Sequence, residues 1–188
     1  MLKNLKKYLK SEKKDKTIFD VIIYGSAVKG KEEAGDIDIA VIFLEGSLRK
    51  RIDKIQNTKL RLKKLIKDKI LDIKQMLLKD LFSTSFLART GILLEGISVF
   101  KDKKFCETLG FQSFTLFWYN LKGLTHTQKV KFNYILAGRD TKGVIEELKG
   151  ERIANGAVKI PIENSIIFEE ILKTNNISCS KKNIIEEI

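Results

Sequence analysis

Residues 21 to 44 confine this chain more than any other stretch. An apolar run, Val21-Ile22-Ile23-Tyr24, ends in Gly25-Ser26, a short polar segment follows, and Asp36-Ile37-Asp38 opens a second apolar run that reaches Leu44. Each run has the length and the β-branched content of a buried strand. Side chains alternate along a strand, so Asp36 and Asp38 project to one face while Ile37 and Ile39 face the other way. Two carboxylates side by side repel, and they are tolerable at the mouth of a site where hard cations sit between them. Mg2+ takes a couple of carboxylates and fills its remaining positions with phosphate oxygens and water. Gly25-Ser26 supplies the phosphate end. A glycine lets the backbone come close to a ligand, and Ser26 opens a segment that reads as a helix to Glu33, whose first free amides favour an anion. The alternative for the same residues is a surface loop between two buried strands, with its acids solvated.

The arrangement resembles the nucleotidyltransferase superfamily of DNA polymerase beta, and in particular its small members, the minimal nucleotidyltransferases. Family sequences carry a strand, Gly-Ser, a helical turn with a basic residue and a glycine, Asp-x-Asp opening a second strand, and a third acid on a later strand. Gly25 and Ser26 match the first pair, Lys29-Gly30 the basic residue and glycine, and Asp36 and Asp38 the acidic pair. Asp72, the one acid in the short apolar run Ile70-Leu71-Asp72-Ile73, is the candidate for the third position; a lone acid in a strand also fits a solvated face. Gly91 to Phe100 looks like the helix end and closing strand of such domains. Gly35 stands where the family often has serine, which loosens that turn and removes no ligand.

The resemblance covers residues 1–104. It implies an α/β (α+β) fold of the polymerase-beta kind, a mixed sheet flanked by helices. It also implies transfer of a nucleoside monophosphate, AMP from ATP foremost, from an NTP to an acceptor hydroxyl, with release of pyrophosphate. Asp36, Asp38 and Asp72 would hold two Mg2+ ions, and Gly25, Ser26, Lys29, Gly30 and Lys31 would grip the nucleotide. Superfamily acceptors include nucleic-acid 3′ ends, antibiotics and protein hydroxyls, the last in small antitoxins that adenylylate a HEPN toxin. A nucleic-acid acceptor is the expectation here. The alternatives are a protein adenylyltransferase of the antitoxin type and a catalytically idle nucleic-acid-binding protein.

Charge supports a polyanionic partner and is uneven. Residues 1–104 hold 25 Lys and Arg against 14 Asp and Glu, whereas residues 105–188 hold 11 against 10. Such an excess attracts triphosphates and nucleic acid without reading sequence, although lysine-rich helix faces also arise for reasons unrelated to ligands. The longest uninterrupted apolar run, Ile39 to Leu44, is six residues, against roughly 20 for a bilayer span. The Lys-rich start lacks the apolar segment of a signal peptide, so a cytoplasmic protein without a membrane partner is expected. Cys106 and Cys179 lie far apart without metal-spaced neighbours, which suits free thiols.

Helical spacing of Leu2, Leu5, Tyr8 and Leu9 predicts an amphipathic first helix. Strands are expected over 17–24, 36–43, 69–76 and 97–100. A long helix should follow Gly46-Ser47 to about Lys67, with Ile52, Ile55, Leu62, Leu65 and Ile66 inward, and another should span 80–94. After Lys104 the pattern changes, and residues 105–188 read as a small α+β domain suited to acceptor recognition. There the aromatics Phe111, Phe114, Phe117, Trp118 and Tyr119 fit a core better than a base-stacking platform. Gln128 to Leu136 is ambiguous, 144–148 and 165–173 read as helices, and 157–162 is a strand that Pro161 confines to an edge or a strand end. His126, the single histidine, has no partner in sequence to orient it and suits a surface or capping role.

Overall fold

A strand buried on both faces reads as a nearly continuous apolar run, and Ile18–Tyr24 (β1) and Asp36–Phe43 (β2) are two such strands. The computed structural model describes residues 2–28, 36–66, 69–139 and 141–188, with only the backbone at Leu2 and Ser26. The chain divides into two compact units, Met1–Gly110 and Phe111–Ile188.

In the first unit, β1 pairs antiparallel with β2, which pairs in parallel with Ile70–Leu77 (β3). The short strand Ile97–Ser98 (β4) joins the other edge of β1, giving the order β3-β2-β1-β4. A parallel pair requires a crossover, and the helix Leu48–Lys63 (α2), capped by Ser47, supplies it. One sheet face, with Ile37, Ile39, Val41 and Phe43, packs against Leu5 and Leu9 of the helix Leu2–Leu9 (α1) and against Ile55 and Leu62 of α2. Leu9 and Leu62 are fully buried, each worth roughly 1.5–3 kcal/mol relative to exposure. The opposite face, with Ile22, Tyr24, Ala40, Ile42 and Met76, meets Leu81, Phe105 and Ile92, the last from the helix Arg89–Glu95 (α3).

Two expectations are corrected here. The inward face of α2 is Arg51, Ile55, Thr58 and Leu62, while Ile52 and Leu65 are exposed. The helix is rotated because its buried stripe serves a polar anchor. Glu12, buried after α1, takes Arg61 Nη2 at 2.7 Å and Lys54 Nζ at 3.0 Å, with the Thr58 hydroxyl at 3.4 Å. The expected helix over 80–94 is broken into a 3-10 turn, Leu78–Phe82, and α3. Local side-chain bonds compete with the helix there. The Asp80 carboxylate accepts the Leu77 N–H at 2.8 Å, and the Ser83 and Ser85 hydroxyls bond to each other at 2.8 Å.

The second unit is one antiparallel sheet with helices on one face. Its elements run Phe111–Tyr119 (β5), His126–Ala137 (α4), Val144–Glu147 (α5), Glu151–Ala154 (β6), Ala157–Pro161 (β7), Ser165–Thr174 (α6) and Cys179–Glu187 (β8). The order β6-β7-β5-β8 with antiparallel neighbours is the split β-α-β arrangement. Alternation along β5 sends Phe117 and Tyr119 into a core with Phe132, Val158, Ile160 and Phe168, and turns Phe114 and Trp118 to the open face. The aromatic run is thus half core and half surface. A capping box settles the ambiguous segment: Thr125 and Gln128 exchange bonds at the start of α4. Exposed His126 follows that cap. Pro161 ends β7, which is an inner strand.

Candidate active site

The parallel register of β2 and β3 sets Asp38 directly beside Asp72, and the antiparallel register of β1 and β2 sets Tyr24 on Asp38's other side. Asp36 lies one pleat away on the same face of β2. The backbone of Gly25, at φ +77, closes this group from below, and a Cβ there would overlap the Asp38 carboxylate. Gly25, Asp36, Asp38 and Asp72 are therefore brought together. Ser26 contributes a backbone position in the 3-10 turn Gly25–Val28, which replaces the expected helix start as far as the described residues go. Lys29, Gly30 and Lys31, like Gly35 and the remainder of that helix, lie outside the described residues.

The electrostatics of the group are unfavourable as it stands. Burial, then the neighbouring charge of Asp72, raises the pKa of Asp38; Lys74 opposes this and Asp36 adds to it. Lys74, two residues after Asp72 on the same face of β3, lies with Nζ 3.4 Å from Asp72 Oδ2. Tyr24 is 6 % exposed, and its buried hydroxyl lies beside the Lys74 ammonium. Burial raises the Tyr24 pKa, and Lys74 is near enough to act against that. The Lys74 pKa is raised by Tyr24 and by Asp72, against its own desolvation. Tyr24 and Lys74 escape a reading of the sequence because the β1-β2-β3 register alone brings them to the acids.

The donors are oxygen-only and mutually repelling, the chemistry that suits a hard divalent cation. Among the described residues no group of three or more His, Cys, Asp or Glu side chains is placed to hold a metal ion by itself. The group is an open row of carboxylates. It fits a Mg2+ ion that keeps one or two carboxylates and takes its other ligands from phosphate and water.

The model of the family described as polymerase beta, nucleotidyltransferase, matches residues 3–104. The chain belongs to that family. No curated protein and no solved structure matches the chain. Membership in the polymerase beta nucleotidyltransferase family supports nucleotidyl transfer as the activity, and the family usually uses divalent metals. The mixed sheet flanked by helices agrees with the family fold. Among the described residues no helix is long and apolar enough to cross a membrane.

Proposed function

We propose that the chain transfers a nucleoside monophosphate, AMP from ATP foremost, to an acceptor hydroxyl of a nucleic acid, releasing pyrophosphate. The observation that carries this reading is the side-by-side placement of Asp38 and Asp72, with Asp36 one pleat away and Gly25 beneath. Asp36, Asp38 and Asp72 would hold Mg2+, two ions by the family pattern. Bound there, Mg2+ would neutralise phosphate charge and lower the pKa of the acceptor hydroxyl. Gly25 leaves room for the Asp38 carboxylate close to the backbone, and the 25–28 turn that follows would supply backbone amides to a phosphate oxygen. Lys74 offsets negative charge at Asp72. Catalysis of this kind is mostly positioning and charge neutralisation, so no histidine base is required.

The unit from Phe111 onward is assigned to acceptor choice, since every residue given to metal or triphosphate lies between Gly25 and Asp72. The chain's net charge of +12 favours a polyanionic acceptor. Incubation with each labelled NTP, Mg2+ and either RNA or a protein extract tests both parts. Label in RNA from the wild type, and none from Asp36→Asn with Asp38→Asn, is the expected result. Label in protein overturns the acceptor, and label from the double variant overturns the site. A chain cut after Gly110 should still bind ATP with Mg2+ and should fail to modify RNA.

A further inference from the structure

The second unit contains a polar cleft of about 390 Å3 at the end of β5, lined by Tyr119, Asn120, Asn133, Arg152, Asn155 and Gly156, with Leu121. That volume lies within the range of small-ligand sites, roughly 300–1,000 Å3. The cleft is assembled from four places in the fold: the strand end and the loop after it, α4, β6, and the Asn155-Gly156 turn between β6 and β7. A backbone bond from Tyr119 N–H to the Gly156 carbonyl, 2.8 Å, ties the turn to the strand.

The hydrogen-bonding capacity left over in this cleft consists largely of donors. Arg152 Nη2 donates to the Asn133 side-chain oxygen at 3.1 Å, and Asn120 Oδ1 accepts the Lys122 N–H at 3.1 Å. Both amide oxygens are thereby engaged, which leaves the NH2 groups of Asn120 and Asn133 available. The Tyr119 side chain is 8 % exposed, and its buried hydroxyl has no partner among the described residues. No acid lines the cleft. Arg152 also has no carboxylate partner among the described residues, whereas Lys142, Lys159, Lys173 and Lys181 of the same unit each pair with glutamate. A guanidinium held by a neutral acceptor keeps its charge and its other N–H groups for something else. Several convergent donors, one fixed cation and no acid suit a multiply oxygenated anion, and a guanidinium binds phosphate through two parallel N–H bonds.

We propose that this cleft binds a phosphate group, carried either by a free nucleotide or by the end of a nucleic-acid strand, with Arg152 as its anchor and Asn133 as the residue that positions Arg152. The region carries almost no net charge, so such a site depends on placed donors and not on a general positive field. The cleft is built wholly from the second unit, and its binding does not depend on the acidic row being active.

The test uses the full 15N-labelled chain with EDTA present, which removes divalent-dependent binding near Asp38. Inorganic phosphate, AMP, and an RNA pentamer with and without a 5′-phosphate are titrated in turn, following the Gly156 amide and the Arg152 Nε–H signals. Phosphate and AMP should move both signals, and the phosphorylated pentamer should bind about tenfold more tightly than its dephosphorylated form. Saturation by AMP below the pentamer's concentration identifies a nucleotide site, and the reverse identifies a strand end. Arg152→Gln should abolish the Gly156 shift with its melting temperature unchanged, because Arg152 is exposed. Asn133→Ala should weaken binding while Arg152→Lys restores little of what Arg152→Gln loses, a pattern that general charge would not give. Unmoved signals with all four probes, or an equal Gly156 shift in Arg152→Gln, would overturn the proposal.

Discussion

Gly25 lies so close beneath Asp38 that any Cβ at position 25 would overlap the Asp38 carboxylate, and its φ of +77 already excludes most other residues. The glycine both turns the chain at the end of β1 and sets where the acid can sit. Gly25→Ala is therefore expected to cost about 1–3 kcal/mol through backbone strain and to displace Asp38. Displacement of that size should lower nucleotidyl transfer by about 100-fold. Thermal melting and a labelled-NTP assay measure the two effects, and a variant with normal activity would dissociate Gly25 from the site.

A divalent cation held as proposed would compete with Lys74 for Asp72. The ammonium stands 3.4 Å from Asp72 on a half-exposed strand edge, a pair worth no more than about 1 kcal/mol. Lys74→Gln should thus lower the Mg2+ concentration giving half-maximal activity by about two- to fivefold. A higher Mg2+ requirement in that variant would mean that Lys74 supports metal binding instead of opposing it.

Buried Glu12 decides which basic residues of α2 can meet a polyanion. Lys54 and Arg61 bond to Glu12 and are tied to the fold, while the exposed Arg49, Lys50 and Lys63 take no part in that anchor. Glu12→Gln should destabilise by about 1–3 kcal/mol through loss of charge-assisted bonds. Lys50→Glu with Lys63→Glu should leave melting nearly unchanged and reduce the salt slope of RNA binding by about 1.5, if each residue meets one phosphate. An unchanged slope would exclude this helix face from the interface.

The acidic pair and both flanking strands were legible because strand alternation and a local motif fix them within a few residues, whereas Asp72 was singled out by the family resemblance and is set beside Asp38 by the β2-β3 register. Tyr24 and Lys74 were not, since only the pairing of β1, β2 and β3 makes them neighbours of Asp38 and Asp72. Strands β6 and β8 were also missed. Residues 151–154 and 179–187 are almost wholly exposed and lack alternating apolar positions, so their pairing is held by β7 and β5 and not by their own pattern. The rotation of α2 escaped notice for a related reason: Arg51 and Thr58 count as polar in any periodicity, and Thr58 is bonded to a glutamate distant in sequence.

Asp20 should give the fold a distinctive pH dependence. It is buried, accepts the Ser98 hydroxyl at 2.6 Å and the Val21 N–H at 2.7 Å, and burial raises its pKa above 3.8 despite those bonds. The native state then holds the proton more tightly than the unfolded chain does. Its stabilising contribution is complete below the unfolded value and is lost as pH rises through the raised one. Asp20→Asn should flatten the fall in melting temperature that the metal-free protein shows as pH rises from about 4. Parallel melting curves for variant and wild type would assign that fall to other groups, Asp38 first among them.

Phe117 and Trp118 are adjacent in sequence and face opposite sides of the second sheet. Phe117 is fully buried, with its ring edge-on to Phe168 at 5.0 Å, so Phe117→Ala should cost about 3–5 kcal/mol and melt that unit. Trp118 is 43 % exposed and is flanked across the sheet by the small residues Ala157 and Ser180, which leave its ring uncovered. Trp118→Ala should cost about 1 kcal/mol or less. An open indole can stack a base, worth roughly 1–3 kcal/mol, so a folded Trp118→Ala variant should bind single-stranded RNA about tenfold more weakly while its ATP binding is unchanged. Fluorescence anisotropy with a labelled oligonucleotide measures the loss, and calorimetry checks the fold. Unchanged RNA affinity in a folded Trp118→Ala protein would remove this face from acceptor recognition, leaving the helix α2 surface as the place to seek it.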